Sequence, residues 1–188
     1  MQAYFGFVTI ILLVVLVLIR TRTLEKQGIE AMDFGKKNRN DFYILPFAAF
    51  YFYIIIANTF NLPTIKGQEL FESQTLSWMG VTLCFLSFLF FLWTLLSFRK
   101  SFRVGLVENK EQGLITTGAF SISRNPIYLS FAIMLVGQFL IFPSWILLIF
   151  LIIAIFRFHQ QVVKEEKFLT EQYGDEFISY RKNVRRYF

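Results

Sequence analysis

Apolar residues fall into long runs separated by short polar segments. Ala3–Ile19 carries no charge and would span about 25 Å as a helix, enough to cross a bilayer core. No basic residue precedes this run and no small-x-small site follows it, so it reads as a retained anchor and not a cleaved signal peptide. Phe42–Phe60 is the second run and Thr75–Phe98 the third and longest. Ile127–Phe142 and Ser144–Phe156 are shorter and meet at Pro143, which predicts a tight helical hairpin as the fourth and fifth spans. Beyond Arg157 the chain turns polar, with Val162, Val163, Phe168, Leu169, Tyr173 and Phe177 spaced as one apolar helix face. Gly174 is the candidate break in that tail. The expected class is all-α: an integral membrane protein of five helices, a C-terminal hairpin and an amphipathic tail.

Composition agrees. Of 188 residues, 55% are hydrophobic and 25 are phenylalanine, too apolar for a soluble domain of this size. The 19 Lys and Arg against 13 Asp and Glu give +6, which in a soluble protein would suggest nucleic acid. Here the basic residues lie between the apolar runs, so topology or anionic lipid is the better reading, with no nucleic-acid partner. The first loop holds six of them (Arg20 to Arg39), the third segment five (Arg99 to Arg124) and the tail seven. Lys66 alone falls on the other side, so five spans would put the N-terminus outside and the C-terminus in the cytoplasm. One cysteine, Cys84, and one histidine, His159, exclude a disulfide framework and a Cys- or His-cluster metal site. Nothing marks a second domain: 1–98 carries the first three helices, 99–188 a loop, the hairpin and the tail.

The polar candidates gather at one end. Arg124 stands two residues before Pro126, a suitable first residue of the fourth helix, while Glu165 and Glu166 follow the fifth. A hairpin returns these groups to the same side. Arginine and carboxylates at a membrane boundary can orient a polar cofactor while apolar walls hold a lipid. Each residue also has a plainer use. Arg124 could snorkel, Asn125 could cap a helix, Tyr128 and His159 could be interfacial, and Gly113 and Gly118 could only turn the chain. Glu165 and Glu166 could be solvated charges.

Their order is more telling than any one of them. Gly113-x4-Gly118-x5-Arg124-Asn125-Pro126-x-Tyr128 is followed by the apolar hairpin. Then comes Glu165-Glu166-x2-Leu169-x3-Tyr173-Gly174-x2-Phe177-x2-Tyr180. This pattern, over about 105–188, resembles the isoprenylcysteine carboxyl methyltransferase family and the related phospholipid methyltransferases. The resemblance implies an integral membrane enzyme that uses S-adenosylmethionine, held by the last two helices, the loop before them and the tail. Carried over, Arg124 and Glu166 would be catalytic. Gly118, Arg124, Asn125, Pro126, Tyr128, Glu165 and Glu166 would contact the cofactor, without a metal. The commonest family motif has histidine where Asn125 stands, so Asn125 is expected to hydrogen bond and not to transfer protons. The implied partners are a lipophilic or prenylated substrate, such as an isoprenylcysteine-type carboxylate, and membrane lipid. The absence of long insertions points to a bacterial or archaeal inner membrane. Two alternatives are a membrane reductase of the sterol type using NADPH and a non-catalytic membrane subunit or transporter. The first three runs hold no ionisable path for transport.

Overall fold

The computed structural model describes residues 1–25, 44–97 and 113–188. Most of both basic segments, 26–41 and 99–112, lies outside the described residues, and with it eight of the eighteen basic residues behind the topology expectation. Among the described residues the chain is helical. The elements are α1 (Gln2–Glu25), α2 (Ile44–Phe60), α3 (Gln74–Ser97), a 3-10 turn (Gly118–Ser121), α4 (Pro126–Ile141), α5 (Trp145–Tyr173) and α6 (Asp175–Asn183). The one extended pairing is an isolated bridge between Glu69 and Ser144.

Gln2–Thr23, Gln74–Ser97 and Trp145–Tyr173 are long and apolar enough to cross a membrane, while Pro46–Phe60 and Pro126–Ile141 are apolar but shorter. Their outer faces stay greasy: Val8, Leu12, Val15, Leu18, Ile149, Ile152 and Phe156 are all exposed. A helix apolar on its outward face as well as its inward one suits lipid and not water.

Each boundary has a local cause. Ser144 caps α5 by accepting from the Leu147 amide at 3.2 Å. Pro126 opens α4 at its first turn, where no N–H is needed. Gly174 ends α5 at φ 53°, a left-handed conformation that favours glycine. α6 then starts on Asp175 and Glu176 and ends on Arg181 and Lys182, matching the helix dipole at both ends. The fifth span and the tail, separate in the sequence reading, are one helix of 29 residues. At 1.5 Å per residue it runs about 43 Å, longer than a ~30 Å hydrocarbon core. Its apolar part, Trp145–Phe156, accounts for about 18 Å of that length, and from Arg157 on the helix is polar.

The hairpin between α4 and α5 forms, but α4 packs most extensively on α3. Small residues permit this. A methyl added at Gly80 would lie 2.6 Å from the Gly137 carbonyl oxygen, and one at Gly137 2.7 Å from Cys84 Sγ. Ser87 Oγ donates to the Ser130 carbonyl at 2.7 Å across the same seam. Close backbone approach and interhelical hydrogen bonds hold membrane helices together where no hydrophobic drive exists. Cys84 is a buried packing residue in this seam. Gln138, fully buried, donates to the Gly6 carbonyl at 2.8 Å and pins α1 to the pair.

The helices run alternately between two ends. Met1, Asn58, Ser73 and Ser144 meet around a hollow of about 430 Å³ at one end. Ser97, Gly118, Pro126 and the second half of α5 gather at the other.

Candidate functional site

The site is assembled at that second end, from a turn after α3 upward. Gly118 sits at φ 67°, and a Cβ there would run into the Ser97 side chain. Ser97 Oγ in turn accepts from the Ala119 amide at 3.0 Å. This close approach accounts for the glycine and fixes where the chain leaves α3. Tyr180 on α6 donates to the Phe120 carbonyl at 2.6 Å, which binds the turn to the tail. Burial raises the Tyr180 hydroxyl to about 12, so it remains a donor.

Residues 123–125 then lie against the last residues of the chain. The Arg124 amide donates to the Arg185 carbonyl at 3.1 Å. Ser123 Oγ and Asn125 Nδ2 donate to the Arg186 carbonyl at 3.1 and 3.3 Å. Everything converges on Glu166, which is buried on α5. Its Oε1 accepts from Arg124 Nε at 3.2 Å, from Arg124 NH2 at 3.1 Å and from Asn125 Nδ2 at 3.1 Å. Arg186 grips both oxygens, with Nε at 3.2 and 3.1 Å and NH2 on Oε2 at 2.8 Å. Arg124 NH1 also donates to the Arg181 carbonyl at 3.1 Å. Burial pushes the Glu166 carboxyl up, but the Arg186 hydrogen bond, the charges of Arg124 and Arg186, and Asn125 outweigh it. The carboxyl is held below its ordinary range. It is a fixed anion bracketed by two cations, and the three groups together carry one net positive charge.

Glu165, next in sequence, faces a different neighbour. Its Oε1 accepts from Tyr128 OH at 2.5 Å and from Gln161 Nε2 at 3.0 Å. Burial dominates here and raises its carboxyl, partly offset by those two donors. Two adjacent carboxyls are therefore pushed in opposite directions, the usual way in which one acid is kept charged and another made able to take up a proton. His159 pairs with Tyr187 OH at 3.0 Å on the α5 surface, alongside. An open hollow of about 530 Å³, lined by Thr116, Glu176, Ser179, Tyr180, Asn183 and Val184, adjoins the cluster through Tyr180.

The expected residues thus divide into three groups. Arg124, Asn125 and Glu166 meet directly. Tyr128 and Glu165 form a second pair beside them. Gly118 and Pro126 shape the backbone. Asn125 precedes α4, but its side chain makes no capping bond; the amide is spent on Glu166 and Arg186. Sequence reasoning missed Ser123 and Arg186. An acidic pair with one arginine upstream leaves room for a second cation in the basic tail, but spacing does not say which of its seven Lys and Arg supplies it.

The phospholipid methyltransferase family model matches residues 75–176, just over half of the chain. This chain belongs to the phospholipid methyltransferase family. The match takes in α3, the 3-10 turn, α4 and α5, so the family portion includes the glycine-mediated seam as well as Arg124, Asn125, Glu165 and Glu166. The chain is also similar to the protein-S-isoprenylcysteine O-methyltransferases of two yeasts. It is 29% identical to that of Schizosaccharomyces pombe over 78 residues, 41% of this chain and 33% of that protein. It is 31% identical to that of Saccharomyces cerevisiae over 83 residues, 42% of this chain and 35% of that protein. The matched stretch spans about a third of the length of these relatives.

Proposed function

We propose that this family member transfers a methyl group from S-adenosylmethionine to a lipid-like acceptor at the membrane boundary. The observation that carries the reading is the convergence of Arg124, Asn125 and Arg186 on buried Glu166 at one end of an apolar bundle. The donor set suits the proposed cofactor. Its carboxylate would pair with a guanidinium, and its ammonium or ribose hydroxyls with a carboxylate oxygen. When bound, S-adenosylmethionine supplies an already activated methyl, so positioning and exclusion of water are the main tasks left to the protein.

The residues divide that work. Arg124 offers positive charge to the anionic end of the cofactor, and Glu166 keeps it in place. Its depressed carboxyl suits this binding role better than proton transfer. Glu165, with its carboxyl raised, is the better proton acceptor when the substrate attacks through an amine or a phenol. Tyr128 orients it. A carboxylate acceptor needs no base. The acceptor would reach the site sideways from lipid and the cofactor from the aqueous side, with all five apolar helices spanning and the C-terminus cytoplasmic.

The test is to incubate purified protein with radiolabelled S-adenosylmethionine and either a prenylated cysteine or a phospholipid extract. Saturable labelling of one of these supports the reading, and release of the label by mild base distinguishes a methyl ester from an N-methyl product. No transfer to any acceptor, together with tight binding of NADPH, would replace it with the reductase alternative.

A further inference from the structure

We propose that Arg186 is a positioning residue of this site, holding Glu166, and through it Arg124 and Asn125, in the arrangement that receives the methyl donor. The inference rests on the methyl-transfer reading above and extends it to a part of the chain ten residues beyond the family match, which ends at 176.

The last residues form a strap across the site. Val184 leaves α6 in extended conformation, with φ −121° and ψ 131°. The carbonyls of Arg185 and Arg186 then take the donors of Arg124, Ser123 and Asn125. Tyr187 reaches His159 on α5 and closes the strap on its far side. The Arg186 guanidinium points back under this strap to Glu166. Among the described residues, Glu166 Oε2 accepts only from Arg186, so removing that guanidinium leaves half of a buried carboxylate without a donor. Arg124 then faces an anion free to rotate, and Asn125 loses the orientation of its acceptor.

Exposure separates the two arginines. The Arg124 side chain is 8% exposed and that of Arg186 is 36% exposed. Arg186 therefore lies between the buried carboxylate and water, on the side from which a polar cofactor would arrive. Its hydrogen bond is the foremost influence holding the Glu166 carboxyl down against the effect of burial. A planar two-pronged donor suits this place better than the point charge of a lysine.

The test compares Arg186→Gln, Arg186→Lys and the exposed control Lys182→Gln in full-length protein, following kcat/KM for S-adenosylmethionine across pH. Arg186→Gln should lower kcat/KM roughly 10- to 100-fold at neutral pH, the scale for loss of a supporting contact. With a carboxylate acceptor, which needs no base from Glu165, it should also move the acid limb of the profile upward, because Glu166 becomes easier to protonate. Arg186→Lys should restore the limb and only part of the rate, and Lys182→Gln should match wild type. Wild-type kcat/KM in Arg186→Gln overturns the inference, and so does a loss of rate with the limb unmoved, which would mark a merely structural residue. Should Arg186→Gln not fold, full wild-type activity in Arg186→Lys would overturn it instead. Absence of transfer by the wild type would instead sink the methyl-transfer reading, and this inference with it.

Discussion

Replacing Glu166 with alanine should be the most damaging single change at the second end of the bundle. It removes the anion between Arg124 and Arg186 and leaves two like charges facing each other. Breaking a fully buried ion pair by deleting one partner costs about 3–5 kcal/mol, mostly because the remaining charge is stranded. Arg124, at 8% exposure, would bear most of that penalty. Arg186, at 36% exposure, can turn toward water, so its share is discounted. A loss of about 2–3 kcal/mol remains, corresponding to a fall in melting temperature of roughly 5–10 °C for a chain of this size. Glu166→Gln keeps the shape and one acceptor but not the charge, and should fall between the two. Thermal unfolding in lipid nanodiscs, followed by tryptophan fluorescence, would measure both. A melting temperature for Glu166→Ala within about 1 °C of wild type would refute the claim that this carboxylate organises the site.

Three further outcomes follow from the same geometry. Because the Glu166 carboxyl is held below its ordinary value of 4.5, its stabilisation is complete above that value and lost as pH falls through the lower, folded value. The melting-temperature gap between wild type and Glu166→Gln should therefore be flat near neutrality and close on acidification; a gap that widens in acid contradicts the assignment. Gly137→Ala should destabilise by about 1–3 kcal/mol through overpacking against Cys84 and the Gly80 backbone, while Gly113→Ala, with no described residue within 4 Å, should be neutral; equal unfolding curves would dismiss the seam. Tyr128→Phe removes a donor that holds the Glu165 carboxyl down, so with an amine or phenol acceptor the acid limb of the pH–rate profile should move to higher pH, and an unmoved limb would exclude Glu165 as the proton acceptor.

Much of this was legible in the pattern of apolar runs. The pairing of Arg124 with Glu166, 42 residues apart, followed from a hairpin returning the chain to the same end. Gly174 as a break followed from its place behind a helical face. Other features depend on contacts that spacing does not encode. Arg157 ends an apolar run but not a helix, because hydropathy changes at a membrane boundary while backbone hydrogen bonding continues through it; α5 therefore extends to Tyr173. Gly80 and Gly137 are single glycines in separate helices, and only their mutual approach makes them a seam. Asn125 looked like a cap because it precedes α4, but a buried carboxylate is the stronger partner for its amide. Arg186 was hidden among basic residues whose differing surroundings only the fold reveals.

Calorimetric titration of S-adenosylmethionine into purified protein asks whether the cluster around Glu166 seats the proposed sulfonium methyl donor. Wild type should bind it saturably and one-to-one, and Arg124→Ala and Glu166→Gln variants that still unfold cooperatively should not. Undiminished binding in both variants, or no binding in folded wild type, would contradict that assignment.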